Sequence, residues 1–261
     1  MIDSHCHLEH MANAEEVIEE AKKRMKAVVT SVPDPRDLEK TLRLREKHRN
    51  FVFVAAGFHP EHAENRTSME IEEHMNAIRA NADRIVSIGE IGTDCFWLKE
   101  RSQQEKSNII FEKFIDLALE LDKPLTIHSR SGEGGDGISE AIEILKRKGA
   151  RNVMMHCFSG SEENLQECLK QGWMISFATV VVKSKRHQRL AKQAPLDRML
   201  LETDAPWLDP DTKPGSHELT NRPWKIERSA EVIAELKGAT KDEILRATEE
   251  NAKKFFRLEL D

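Results

Sequence analysis

Residues 124–155 read PLTIHSRSGEGGDGISEAIEILKRKGARNVMM, and this stretch decides the fold. It opens on a short apolar run, Pro124–Ile127, and closes on another, Val153–Met155. Between them, Ile138–Lys148 sets apolar residues at helical spacing among charged ones. The unit is strand, helix, strand. Strands so uniformly apolar suit a sheet buried on both faces, which a parallel sheet clothed in helices provides.

The same unit repeats outward in both directions. Further strands are expected at Met1–Ser4, Ala27–Ser31, Val52–Gly57, Ile85–Gly89, Trp173–Phe177 and Met199–Leu201. Helices are expected at Ala14–Met25, Asp37–His48 and Gln104–Leu121. Two helical segments close the chain, Lys225–Leu236 and Lys241–Phe256, the second with Thr240 and Glu243 at capping-box spacing. No linker rich in Pro, Gly or Ser splits the 261 residues. The expected architecture is α/β: a single (β/α)8 TIM barrel over residues 1–261 with extra C-terminal helices. A doubly wound open sheet is the competing arrangement.

Composition narrows the function classes. The net charge of −6 gives no global basic field of the kind that gathers nucleic acid. A cation-loaded site can still take an anionic substrate, because bound metal inverts the local sign. No run of 18 apolar residues exists to span a membrane. The opening MIDSHCHLEH lacks the pattern of a secretory signal. Cys6, Cys95, Cys157 and Cys168 are scattered, which suits a reducing, cytoplasmic setting. Cys6 and Cys157 flank histidines and are expected to pack against apolar neighbours. No protein partner or oligomeric surface is readable.

The chemistry lies in polar residues at one edge of the barrel. His5 and His7 end the first strand, Glu90 the fourth, His128 the fifth, His156 the sixth and Asp204 the eighth. In such a barrel the carboxyl ends of all strands meet on one face. Histidines two apart on a strand share a side, so His5 and His7 can reach one ion. Six imidazole and carboxylate ligands exceed what one tetrahedral ion needs; two ions bridged by Glu90 would use them all. Asp204 is placed to take a proton from water as a general base.

Several residues carry two readings. Arg130 either holds a phosphate or makes a surface salt bridge. His59, after the third strand, either meets substrate or caps the chain. His62 and His74 are expected to be exposed. The basic run Lys183, Lys185, Arg186, Arg189 and Lys192 is either a solvated helix or a contact for a nucleic-acid backbone.

Together these motifs resemble the TatD-like metal-dependent hydrolases of the amidohydrolase superfamily. The segments that carry the likeness are Asp3-Ser4-His5-Cys6-His7, Gly57-Phe58-His59-Pro60, Gly89-Glu90-Ile91-Gly92, His128-Ser129-Arg130, His156-Cys157-Phe158-Ser159-Gly160, Gly172–Phe177, Leu201–Pro206 and Asn251-Ala252 with Phe255-Phe256. They run in order over nearly the whole chain. The resemblance implies one or two divalent metal ions on His5, His7, Glu90, His128, His156 and Asp204. It makes His59 a substrate-side histidine and implies hydrolysis of DNA phosphodiesters, often from the 3′ end. Zinc suits the nitrogen-rich donor set, and the family's chemistry also runs with magnesium or manganese.

The sequence departs from the family at Thr93-Asp94-Cys95, in the loop Ser131–Gly137, at Thr179, and at Pro214-Gly215 and Asn221-Arg222-Pro223. These segments lie where substrate would sit. Two other functions therefore stand beside the nuclease reading. One is cleavage of an ester, lactone or amide; the other is a metal-binding protein without catalysis.

Overall fold

The computed structural model describes residues 1–213 and 218–260. Its strands are β1 Ile2–Cys6, β2 Ala27–Val32, β3 Val52–Ala56, β4 Ser87–Asp94, β5 Leu125–Arg130, β6 Val153–Met155, β7 Met174–Phe177 and β8 Met199–Leu201. Its helices are α1 Ala14–Lys22, α2 Leu38–Lys47, α3 Ser68–Ala80, α4 Arg101–Glu120, α5 Gly137–Arg147, α6 Glu162–Lys170, α7 Lys185–Gln193, α8 Ile226–Lys237 and α9 Lys241–Phe256. The strands are all parallel and lie in chain order from β1 to β8. A doubly wound sheet would break that order at a switch point, so the barrel stands.

The helices pack on the barrel through one face each. In α5, Ile138, Ala141, Ile142 and Leu145 are buried, at the spacing that keeps them in a single stripe. Side chains pointing into the barrel form a second apolar cluster, with Val29, Phe53, Met154 and Leu200. Ala252 and Phe256 of α9 belong to that cluster, so the last helix closes the barrel floor. The expected capping box begins α9: Glu243 N–H donates to Thr240 Oγ1 at 3.2 Å, and Thr240 N–H to Glu243 Oε2 at 2.8 Å.

The seam between β8 and β1 is closed largely by groups at the active edge. Asp204 N–H donates to His5 O at 3.0 Å, and His7 N–H to Ala205 O at 2.7 Å. Ser4 Oγ donates to Leu201 O at 2.8 Å, and Thr203 N–H to Asp3 Oδ1 at 3.0 Å. Closure and site assembly are thus one event: pairing the ends of the barrel sets His5 beside Asp204.

Several expectations need correction. Strand β4 does not stop at Gly89. It shifts register between Ile88 and Ile91 and then pairs with β5 as far as Asp94 opposite Arg130. Glu90 and His128 therefore sit within strands, not at their ends. The sequence hid this because Gly89, Glu90, Gly92 and Asp94 are residue types that ordinary strands avoid. Gly92 is required where it is: at φ +150°, a Cβ would lie 1.8 Å from His128 O. The second correction is His74, which is buried on α3 with Nε2 2.7 Å from Gly57 O. His62 is half-buried in the turn after His59.

Cys6 packs as expected, buried with Sγ 3.6 Å from Val29 O. Cys157 instead is half-buried at φ +42°, its N–H donating to Glu202 Oε1 at 2.9 Å. Among the described residues, no helix is long and apolar enough to cross a membrane.

Candidate metal centre

The bulge in β4 turns Glu90 to the middle of the cup, and its two oxygens face different imidazoles. Oε2 lies 3.6 Å from both His5 Nε2 and His7 Nε2. Oε1 lies 2.8 Å from His128 Nδ1, 3.6 Å from His156 Nε2 and 3.8 Å from His59 Nε2. Asp204 completes the ring from the β8 side, with Oδ1 3.4 Å from His7 Nε2 and 3.7 Å from His5 Nε2. His5 Nε2 and His7 Nε2 are 3.0 Å apart, and the rings of His5 and His156 stack at 3.7 Å. The structure thus brings together His5, His7, His59, Glu90, His128, His156 and Asp204.

Arg130 stands above this ring. It lies two residues beyond His128 on β5, exposed, with its guanidinium 3.8 Å from the centre of the Phe96 ring. Among the described residues it pairs with no carboxylate. Much of the basic run is tied down instead. Lys183 Nζ donates to Asp209 O at 3.0 Å, and Arg186 to the carbonyls of Ser159 and Gly160.

A set of supporting carboxylates was not singled out from the sequence. Glu9 Oε1 is 2.8 Å from His7 Nδ1, and Asp94 Oδ2 is 2.8 Å from His128 Nε2. Glu202 Oε1 is 2.8 Å from His156 Nδ1. That last contact is an ion contact rather than an aligned hydrogen bond, so His156 Nδ1 and Glu202 Oε2 remain buried without a hydrogen-bond partner. Carboxylates behind imidazoles fix ring orientation and raise basicity at metal sites. One signal could have found them: Glu9 follows His7 by two residues, Glu202 precedes Asp204 by two, and Asp94 shares a strand with Glu90.

The electrostatics follow from burial set against this ring. Burial drives His5 well below the usual histidine range, with the charges of His156, His7 and His128 adding to it. Burial likewise drives His59 down to about 3, helped by His128. Burial also opposes charge on the other three imidazoles, but their carboxylates outweigh it. Glu9 and Asp204 hold His7 well above the usual range. Asp94 and Glu90 push His128 up to about 9, and Glu202 and Glu90 do the same for His156. Burial works against ionising Glu90, yet His156, His128, His59 and His5 hold it well below the usual carboxylate range.

Apolar packing does not explain such a set. The donor triads His5–His7–Glu90, His5–His156–Asp204 and Glu90–His128–His156 each hold their atoms within 4.8 Å of one another. Nitrogen and carboxylate oxygen are donors that divalent ions accept, and a cation would take over the place of the protons that charge these buried imidazoles. The residues fit a metal.

The outer loops show what two of the departures do. Thr179 Oγ1 is 2.6 Å from Leu208 O and accepts Asn221 Nδ2 at 3.0 Å. Asn221 Nδ2 also reaches Thr203 O at 2.9 Å. Together they tie the long loop after β8 to the barrel rim. Pro214 and Gly215 lie outside the described residues.

Comparison with known proteins agrees with this geometry. A family model described as TatD related DNase matches residues 2–257. The uncharacterized metal-dependent hydrolase YabD of Bacillus subtilis is 34% identical over 266 residues, covering 99% of both chains. The 3′-5′ ssDNA/RNA exonuclease TatD of Erwinia amylovora is 33% identical over 226 residues, covering 84% of each. Among solved structures, the TatD homologue YjjV of Escherichia coli K12 matches with a TM-score of 0.88 at 25% identity, covering 99% of this chain and 98% of its own.

Proposed function

The chain belongs to the TatD-related DNase family of metal-dependent hydrolases, and on that premise we propose that it cleaves phosphodiester bonds of DNA, working inward from a 3′ end. The observation that carries this reading is the split allegiance of Glu90. One oxygen faces His5 and His7, and the other faces His128 and His156. One ion would be held by His5, His7, Asp204 and Glu90, and a second by His128, His156 and Glu90. The nitrogen-rich donors favour zinc as the bound ion, with magnesium or manganese as working alternatives. A divalent cation supplies Lewis acidity to the phosphate and hydroxide near neutral pH.

The chain's own residues do the rest. Asp204 is the most open carboxylate of the ring, with 19% of its side chain exposed against 4% for Glu90. It is therefore the group we assign to take the proton of attacking water. His59 Nδ1 accepts Glu61 N–H at 3.3 Å, so its proton sits on Nε2, directed at the cup. With its titration at about 3, His59 is a neutral donor to the phosphate or the leaving oxygen. Arg130, free of any carboxylate among the described residues, is assigned to the phosphate through its forked N–H groups. Residues 1–261 act as one catalytic unit. Its four free thiols suit a reducing cytoplasm.

The test is elemental analysis of gently purified protein together with cleavage of single-stranded DNA bearing a free 3′ end. Metal-loaded protein should shorten the strand, and His128→Ala should lose at least most of that activity. Equal inactivity of both, with stoichiometric metal bound, would leave a metal-binding protein and not a nuclease.

A further inference from the structure

Beyond the end of β4 the chain exposes two aromatic side chains. Phe96 is 40% and Trp97 58% accessible, their rings edge to face at 4.9 Å. Two adjacent exposed aromatic rings form a contiguous apolar patch, the kind that marks a binding surface, and here the patch is held in place. This place is rigid. Phe96 N–H and Trp97 N–H both donate to Asp94 Oδ1, at 2.8 and 2.7 Å. Cys95 N–H donates to Arg130 O at 2.7 Å, and Gly134 N–H to Cys95 O at 2.9 Å. Gly132 presses so close that a Cβ there would lie 2.6 Å from Phe96 Cα. The turn is therefore held from below by Asp94 and from the side by the Ser131–Gly137 loop.

The same turn is joined to the catalytic cup. The second oxygen of Asp94 lies 2.8 Å from His128 Nε2. Arg130 lies against the aromatics, 3.8 Å over Phe96 and 5.8 Å from Trp97. It follows His128 by two strand residues, an advance of about 6.6 Å from the ring of ligands toward solvent. An arginine lying on an aromatic face still offers its N–H edges to an anion. A phosphate site at the cup with a guanidinium that pairs with no carboxylate among the described residues, and partly exposed aromatic rings beside it, supply partners for a phosphate and for a base of the same strand.

We propose that Phe96 and Trp97, with Arg130 packed against them, form a subsite that stacks an unpaired nucleobase of the substrate strand. This rests on the phosphodiesterase reading above and adds to it the residues that hold a base: a base can reach the rings only when it is free of a complementary strand. The aromatic faces are indifferent to which base they hold, so the subsite selects single strands without reading sequence.

The experiment uses metal-loaded protein and two oligonucleotides that differ only at the 3′-terminal residues, which carry bases in one and are abasic in the other. Stacking on an aromatic ring makes wild-type kcat/KM for the base-bearing strand about 5- to 100-fold higher, mainly through KM. In Trp97→Ala and Phe96→Ala that ratio falls toward one, and Trp97→Phe restores most of it. Ile109→Ala, which alters a 61% exposed residue on α4 away from the subsite, keeps the wild-type ratio. An unchanged ratio in both alanine variants overturns the proposal. Should wild-type protein cut neither strand, the hydrolytic reading has failed, and the subsite is then judged by fluorescence anisotropy with the same two oligonucleotides. Equal affinity for them would overturn it independently.

Discussion

Glu202→Gln removes one negative charge and almost no volume from a fully buried position. The carboxylate sits 2.8 Å from His156 Nδ1 and is first among the groups that raise His156 to about 9, ahead of Glu90. Moving an imidazole that far from its usual ~6.5 corresponds to roughly 3 kcal/mol of preference for the cation. Glu202 is the first of the groups that sustain that preference, so its removal takes away a sizeable part of it. Its sign with pH is fixed. A group titrating higher in the folded protein stabilises it fully below the unfolded value near 6.5, and that stability drains away as pH rises through 9. In metal-free protein the variant should therefore melt about 4–8 °C below wild type at pH 6, and the gap should close above pH 9. With metal present a second effect appears. Glu202 orients the ring and raises its basicity toward a cation, so the amide should weaken metal binding about 10- to 100-fold at neutral pH. Melting of chelated protein at pH 6 and pH 10, with calorimetric metal titration at pH 7.5, measures both. A melting difference that stays constant with pH, or unchanged metal affinity, would refute the assignment of Glu202 as the support for His156.

Three further outcomes follow from the same geometry. Glu90→Gln should lower the bound metal and reduce kcat/KM at least about 100-fold, because one carboxylate serves both groups of imidazoles; elemental analysis with a nuclease assay checks it, and full metal content with wild-type turnover would contradict the bridging role. Arg130→Ala should raise KM for DNA about 10- to 100-fold with little change in kcat, the worth of hydrogen bonds to a charged group, and a pure kcat effect would place Arg130 in the chemical step instead. Glu249 is held at about 2, burial being outweighed by Lys26, the Met1 ammonium and Lys253. Its folded-state value is depressed, so its contribution is present above pH ~4.3 and lost as pH falls through 2. Glu249→Gln should cost about 1–2 kcal/mol at pH 6 in urea titrations, with the difference from wild type vanishing near pH 2.

The alternation of apolar runs and amphipathic stretches made the barrel legible, because burial on both faces of a parallel sheet favours apolar residues along most of each strand. The ring of candidate ligands was legible for the same reason: a histidine or carboxylate directly after such a run has only the active face to occupy. What failed to show was anything settled by contact between distant elements. The second half of β4 reads as a loop, since Gly89, Glu90, Gly92 and Asp94 are poor strand formers, and only pairing with β5 keeps them extended. His74 reads as a surface residue, and its burial depends on the Gly57 carbonyl 17 positions away. Glu202 sat in view within Leu201–Pro206, but its role exists only because β7 sets the ends of β6 and β8 on one edge and so brings it to His156.

The supporting carboxylates also explain how the metal ring and the substrate surface are arranged so differently in one site. Glu9, Glu202 and Asp94 each hold an imidazole from the side away from the cup. Glu9 and Glu202 are buried; Glu9 also accepts from Thr30 Oγ1, and Glu202 Oε1 also accepts from Cys157 N–H. They can fix His7 and His156 without reference to any outer loop. Asp94 is built differently. One of its oxygens meets His128 and the other carries the turn that bears Phe96 and Trp97. The neighbouring departures from the family pattern, Thr93 and Cys95, flank this one residue. Substrate preference can shift through that turn while His5, His7, His156 and Asp204 keep their places, and such a shift reaches the chemistry through the bond from Asp94 to His128 and through Arg130 packed on Phe96.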